Sequence, residues 1–319
     1  MRSKLAKYGA ILIVVIALAS IAQAGCSCRG GGEGTWDGPA WAESTLDGSS
    51  NEAATVSGTE AGIGGEEVNQ ADSDGNDKIC SPAISAQKLL DWLGGDSKPL
   101  IVYVTNTPPK SSSYIDGSIL LPSRSLIQAD GSLKPLSDLA EVLGNAGITE
   151  DDDLVIYGDC FSCGDDTFVF WAIKYLGHQK VQILQGTPED WAAAGLPKAA
   201  TTTTRPAATY SPDTCPELLA DYDSVAGGEV QVVDARSPDQ FAAGHIDGAT
   251  NIDYNRVIED GWIKDDSALT EIFGDLDRDR PVAVYTKNGG RASIVWYALQ
   301  NLGYDARLYT WNDWLSHQS

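Results

Sequence analysis

The apolar positions of this chain fall into three regimes. Near the N-terminus one run, Ala10 to Ala19, is continuously apolar and follows Arg2, Lys4 and Lys7. From Arg29 to about Asp77 the residues are mainly Gly, Ser, Ala, Thr, Asp and Glu, with neither a helical nor a strand period. Such a segment cannot bury enough apolar surface to fold, and a flexible tether is expected there. From about residue 80 onward, short apolar runs alternate with helical patterns. Val102-Tyr103-Val104, Ile156-Tyr157, Val232-Val233 and Val282-Ala283-Val284 read as strands. Ala86 to Leu93, Phe168 to Leu176 and Ile294 to Leu299 read as helices. This alternation predicts an α/β fold with a largely parallel sheet.

The folded part is a repeat. Val102 to Pro108 parallels Val232 to Pro238, and Ile115-Asp116-Gly117 parallels Ile246-Asp247-Gly248. Ile156-Tyr157 parallels Val284-Tyr285, Leu176-Gly177 parallels Leu302-Gly303, and Asp190-Trp191 parallels Asp313-Trp314. On this reading Val104, Asn106 and Tyr114 stand where the second repeat has Asp234, Arg236 and His245. A Thr- and Pro-bearing stretch, 198–214, is expected to link the repeats. The predicted organisation is an export signal at 1–25, a tether at 26–79, one domain at 80–197, the linker at 198–214 and a second domain at 215–319.

Charge narrows the partners. The 319 residues carry 45 acidic and 22 basic side chains, a formal charge of -23. That balance argues against nucleic acid and against electrostatic docking on anionic lipid. The N-terminal run is too short to span a bilayer and ends in Ala22-Gln23-Ala24, a small-x-small cleavage pattern, so it reads as an export signal. Ala24-Gly25-Cys26 resembles a bacterial lipoprotein box, which makes Cys26 a candidate lipidation site and the outer membrane or the periplasm the expected location. A soluble exported protein cut after Ala24 is the alternative. In such a compartment disulfides persist. The six cysteines are Cys26, Cys28, Cys80, Cys160, Cys163 and Cys215. Cys80 and Cys215 open the two repeats, near Pro82 and Pro216, as a candidate disulfide or as two unpaired thiols.

Candidate chemistry concentrates at two loops. The first to stand out is Tyr285-Thr286-Lys287-Asn288-Gly289-Gly290-Arg291, which joins a strand to a helix. A Gly-rich loop at a helix N-terminus aims backbone N–H groups and the positive end of the dipole at one point. Lys287, Gly289, Gly290 and Arg291 are therefore candidate anion-binding residues. The loop resembles the active loop of the rhodanese sulfurtransferases, Cys-x-x-Gly-x-Arg after a strand. Val232 to Arg236, Gly244 to Ala249 and Leu308 to Trp314 resemble further signatures of that family. The resemblance covers about residues 80–319. It implies two rhodanese-like domains, each a largely parallel sheet flanked by helices, of which the C-terminal one is ordinarily catalytic. It implies a sulfur-containing substrate, no cofactor and no metal. Asp234 and Arg236 are expected as a scaffold ion pair and His245 as a hydrogen-bonded scaffold residue.

The nucleophile position, however, holds Thr286. Persulfide chemistry needs a thiolate, and a threonine hydroxyl neither ionises near neutral pH nor stores sulfur. The second domain is thus expected to be inactive. In the first repeat the corresponding segment reads Gly158-Asp159-Cys160-Phe161-Ser162-Cys163-Gly164-Asp165-Asp166. Cys160 and Cys163 are candidates for a disulfide or dithiol that exchanges with a redox partner, for a persulfide acceptor with its resolving thiol, or for a structural disulfide. Gly164 replaces the His of a c-type haem motif. Asp159, Asp165 and Asp166 oppose thiolate formation and anionic donors. The expected function is sulfane-sulfur transfer or thiol redox through Cys160 and Cys163. The alternatives are a non-catalytic binding module of an envelope complex and thiol-dependent handling of chalcogen oxyanions.

Overall fold

The computed structural model describes residues 82–106, 113–129 and 132–318. The export signal, the tether, Cys26, Cys28 and Cys80 lie outside the described residues. The first repeat forms β1 (Ala83–Ile84), α1 (Ala86–Leu93), β2 (Leu100–Thr105), β3 (Tyr114–Ile115), β4 (Ile119–Pro122), α2 (Leu136–Asn145), β5 (Leu154–Gly158), α3 (Asp165–Tyr175), β6 (Val181–Leu184), α4 (Pro188–Ala193) and β7 (Lys198–Ala199). The second forms α5 (Tyr222–Ala226), β8 (Gln231–Asp234), α6 (Pro238–Ala243), β9 (Thr250–Asn251), β10 (Ile258–Glu259), β11 (Trp262–Ile263), α7 (Asp266–Ile272), β12 (Val282–Thr286), α8 (Ala292–Asn301), β13 (Ala306–Thr310) and α9 (Trp311–Ser316).

Two parallel sheets result, with orders β1-β6-β5-β2-β4 and β13-β12-β8-β9. A parallel bridge from Leu219 to Leu308 takes the place of β1 beside β13. The strands alternate as the two-residue period requires. Val102, Val104, Val282 and Val284 face a core shared by both repeats. Ile101 and Tyr103, or Ala283 and Tyr285, face a smaller core on the far side of each sheet. Burial on both faces explains why these strands read as continuous apolar runs.

The shared core is built on α3 and α8. Their apolar residues are buried almost all round, which marks helices enclosed by sheet on one side and by each other on the next. Equivalent residues meet across this contact, as a two-fold relation between the repeats requires: Thr167 Oγ1 lies 2.7 Å from Ser293 Oγ. Gly164 has φ +83, and a Cβ there would lie 2.6 Å from the Gly290 carbonyl oxygen. Only glycine gives both the left-handed backbone and that approach.

The 198–214 stretch, expected as a linker, packs along the first repeat. β7 pairs with β3, Thr203 N–H donates to the Ser118 carbonyl at 2.7 Å and Ala208 N–H donates to the Gly144 carbonyl at 2.9 Å. Tyr210 is buried in the shared core and its hydroxyl meets His178 Nδ1 at 3.3 Å. Its Thr and Pro content predicts irregular backbone, but that backbone finds its hydrogen bonds on a neighbour rather than in water.

Candidate functional site

The C-terminal loop is held from below by a polar cluster. Asp234, fully buried at the end of β8, accepts from Arg236 Nη2 at 2.6 Å and from the Tyr285 hydroxyl at 2.7 Å. Arg236 also donates to the Gly244 carbonyl at 2.7 Å, and its guanidinium lies 4.4 Å from the Trp311 ring centre. The Arg236 proton is held even more firmly than usual; burial works against its charge, but the hydrogen bond and charge of Asp234 outweigh it. His245 stacks on Phe241, with Nδ1 3.0 Å from the Phe241 carbonyl oxygen. Above this frame β12 ends at Thr286, which is 6% exposed, with its Oγ1 buried and without a hydrogen-bond partner. Arg291 stands at the N-cap of α8 and makes no side-chain capping hydrogen bond. Lys287 and Arg291 are exposed, and the Arg291 guanidinium lies 4.9 Å from the Tyr254 ring centre. The Gly290 carbonyl is turned toward Gly164 and accepts from Ser293 Oγ.

Strand register fixes how the two loops correspond. Tyr157 pairs with Tyr103 in one sheet and Tyr285 with Asp234 in the other. The Ile115 N–H donates to the Tyr157 hydroxyl and the Ile246 N–H to the Tyr285 hydroxyl, so the two tyrosines are equivalent. Tyr103, rather than Val104, therefore occupies the place of Asp234. The sequence comparison was one residue out along β2, a slip that moves a side chain to the other face of the sheet. Tyr103 donates its hydroxyl to Asp159 Oδ2 at 2.5 Å. By the same register Gly158, not Cys160, stands where Thr286 does. A Cβ at Gly158 would lie 2.2 Å from Asp166 Oδ1, so that carboxyl fills the space a nucleophile side chain takes in the other repeat. The helices correspond through Thr167 and Ser293, which leaves the first loop two residues longer than the second.

That extra length holds the cysteines. Cys160 and Cys163 are joined by a disulfide across a 3-10 turn, Phe161–Cys163, with Cα atoms 5.4 Å apart. Cys160 is half-buried and Cys163 exposed. Cys215 is also disulfide-bonded. The Phe161 ring lies 4.3 Å from the ring of Trp262, on the hairpin of β10 and β11. The hairpin turn is Asp260-Gly261, with φ +48 and +79, the two-residue turn whose twist suits paired strands. It brings Gly261 against Thr187, which caps α4 in a reciprocal pair with Asp190.

These pieces enclose a cleft of about 250 Å³ between the repeats. Cys160, Asp159, Asp166, Glu189, Trp191 and Trp262 are among its walls, and none of its lining residues is basic. Asp166 is one of the lining residues. It is 4% exposed, and its Oδ1 has no partner. Burial first, then the charges of Asp165 and Asp159, pushes its carboxyl well above the usual carboxylate range toward the neutral acid. Asp165 is raised too, mainly by burial, although it accepts from Ser123 Oγ at 2.7 Å. The cleft can therefore present Cys160 of the disulfide, a buried carboxyl and acidic rims to a ligand. Lys287 and Arg291 are not among its lining residues. The pattern reading missed Glu189 and Trp262; the Asp-Gly pair at 260–261 was the available signal for the hairpin that carries Trp262.

The rhodanese-like domain profile matches residues 219–316. A Mycobacterium leprae protein, provisionally named a thiosulfate sulfurtransferase, is 31% identical over 245 residues, which cover 66% of this chain and 86% of that protein. A Mycolicibacterium smegmatis protein with the same provisional name is 28% identical over 244 residues, with the same two coverages, 66% and 86%. The crystal structure of Escherichia coli SseA, described as a 3-mercaptopyruvate sulfotransferase of the "rhodanese" fold, superposes with a TM-score of 0.64. It is 21% identical, and the match covers 72% of this chain and 98% of that one. This likeness shows the fold.

Proposed function

Because the chain belongs to the rhodanese-like sulfurtransferase family, we propose that it is an exported, envelope-anchored member that works through Cys160 and Cys163. Family membership implies a sulfur-containing substrate. The proposed site of chemistry is the first domain, since Thr286 removes the thiolate from the second. In the dithiol form, the thiolate of one cysteine takes a sulfane sulfur from a persulfide donor, RS–S⁻, and RS⁻ leaves. The second thiolate then attacks the first cysteine's Sγ. The S–S bond between the cysteines forms, the terminal sulfur leaves and takes a proton as hydrosulfide, and the disulfide remains. Two electrons pass from the dithiol to the sulfane sulfur, and an external thiol resets the pair.

The observation that carries this reading is the Cys160–Cys163 disulfide, whose Cys160 lines a cleft, in the loop equivalent to the family's active loop. Two cysteines this close can act as attacking and resolving thiols, which supports the reading. The exposed position of Cys163 favours it as the sulfur that outside thiols reach. Export rests on the Arg2-to-Ala24 pattern and anchoring on Cys26. No helix of the described residues is long and apolar enough to cross a membrane.

The test is sulfide release by the reduced protein supplied with a persulfide. One equivalent of sulfide and the closed disulfide are expected. Cys163→Ser should stop at a persulfide, about 32 Da heavier by intact mass. Sulfide release at the wild-type rate by Cys160→Ser would remove the proposed role.

A further inference from the structure

We infer that the cleft beside the disulfide is a binding site for a small cationic thiol, and that this ligand is the one that resets the Cys160–Cys163 pair. The inference rests on the exchange chemistry proposed above and adds the charge class of the co-substrate. Three features carry it. The cleft is bounded by Asp159 and Glu189 with no basic residue in its walls, so an anion entering it meets only like charge. In its lining Asp166 keeps one carboxyl oxygen without a partner although the residue is 4% exposed. Such an atom is costly to leave unpaired, and an ammonium group supplies the missing donor. The walls also include Trp191 and Trp262, whose indole rings give the apolar body of an aminothiol a surface to cover.

The chemistry balances without another oxidant or reductant. The bound aminothiolate attacks the exposed Sγ of Cys163, the bond between the cysteines breaks, and Cys160 leaves as a thiolate inside the cleft. A second aminothiol attacks the mixed disulfide, releasing the ligand as its own disulfide and Cys163 as a thiol. The two electrons come from two thiols.

The experiment compares how fast cysteamine, 2-mercaptoethanol and 3-mercaptopropionate open the disulfide in the full chain. Alkylation followed by intact mass gives the rates, each corrected to thiolate concentration. At low salt cysteamine should exceed 3-mercaptopropionate by about tenfold or more, and the preference should shrink as salt screens it. Glu189→Gln and Asp159→Asn should each reduce the preference about threefold to fivefold, roughly the worth of one charge contact in water. Asp166→Leu, which removes the oxygen the ammonium group would meet, should reduce it as well. Glu271→Gln, an exposed change on α7 of the other repeat, should leave it unaltered. A preference that survives the three cleft variants, or that falls equally with Glu271→Gln, overturns the binding site while leaving the exchange reaction in place. A disulfide inert to all three thiols overturns both.

Discussion

Replacing the bridged pair with serines, Cys160→Ser/Cys163→Ser, should cost the fold little. The bridge has a sequence separation of 3, so it closes a loop of four residues. In the chain-entropy account of cross-links, a four-residue loop is worth about 6 cal/mol/K, or about 1.9 kcal/mol at 25 °C. A loop of about 100 residues would be worth about 4.7 kcal/mol on the same scale. The turn also has other supports. Gly164 N–H donates to the Phe161 carbonyl at 3.0 Å, and Phe161 packs 4.3 Å from Trp262. Serine keeps the shape of each half-cystine, and the Cys215 disulfide is left intact. Urea unfolding followed by far-UV circular dichroism measures the difference. With a slope near 3 kcal/mol/M, the midpoint should fall by about 0.6 M with the slope unchanged. A loss above about 4 kcal/mol, or a lost cooperative transition, would make the bridge a brace for the loop. The argument for exchange chemistry at this pair would then fail.

Asp166→Asn should stabilise the protein increasingly as pH rises. The folded carboxyl titrates above its unfolded value, so its stabilising contribution is complete below about pH 3.9 and is lost as pH rises through the folded pKa. The stability difference between variant and wild type, from urea midpoints at pH 4 and pH 8, should grow in favour of Asn; a pH-independent difference refutes the assignment. Arg236→Met should cost about 3–5 kcal/mol near neutral pH, because it leaves the fully buried Asp234 without its counter-charge. Adding Asp234→Asn should recover part of that loss in chemical denaturation, and a single-variant cost under about 1 kcal/mol would contradict the buried-pair argument. Gly164→Ala should cost about 1–3 kcal/mol for the left-handed backbone alone, with the contact to Gly290 in addition; a denaturation midpoint equal to that of wild type would refute the close approach between the repeats.

Legibility differed sharply between fold and site. Strands such as Val282-Ala283-Val284 and helices such as Ile294 to Leu299 were visible because their period and their burial are the same fact. The repeat was visible because both copies keep Ile-Asp-Gly, Leu-Gly and Asp-Trp markers. The register of β2 was not. Tyr103 and Val104 are both apolar enough for either face, and only the pairing with Tyr157 assigned Tyr103 to the place of Asp234. The 198–214 stretch looked like a linker because composition records the absence of regular structure, not what that backbone bonds to.

The sequence by itself determined the α/β class, the duplication, the family resemblance and the missing thiol at Thr286. Each depends on residue identity or on a short period, which the chain carries locally. Tertiary structure alone decided that Gly158 matches Thr286, that Asp166 fills the vacated space, and that Trp262 from the other repeat lines one cleft with Cys160. Those relations join residues that are distant along the chain, or that an insertion has shifted. Only the packing of one repeat on the other brings them within reach of a common ligand.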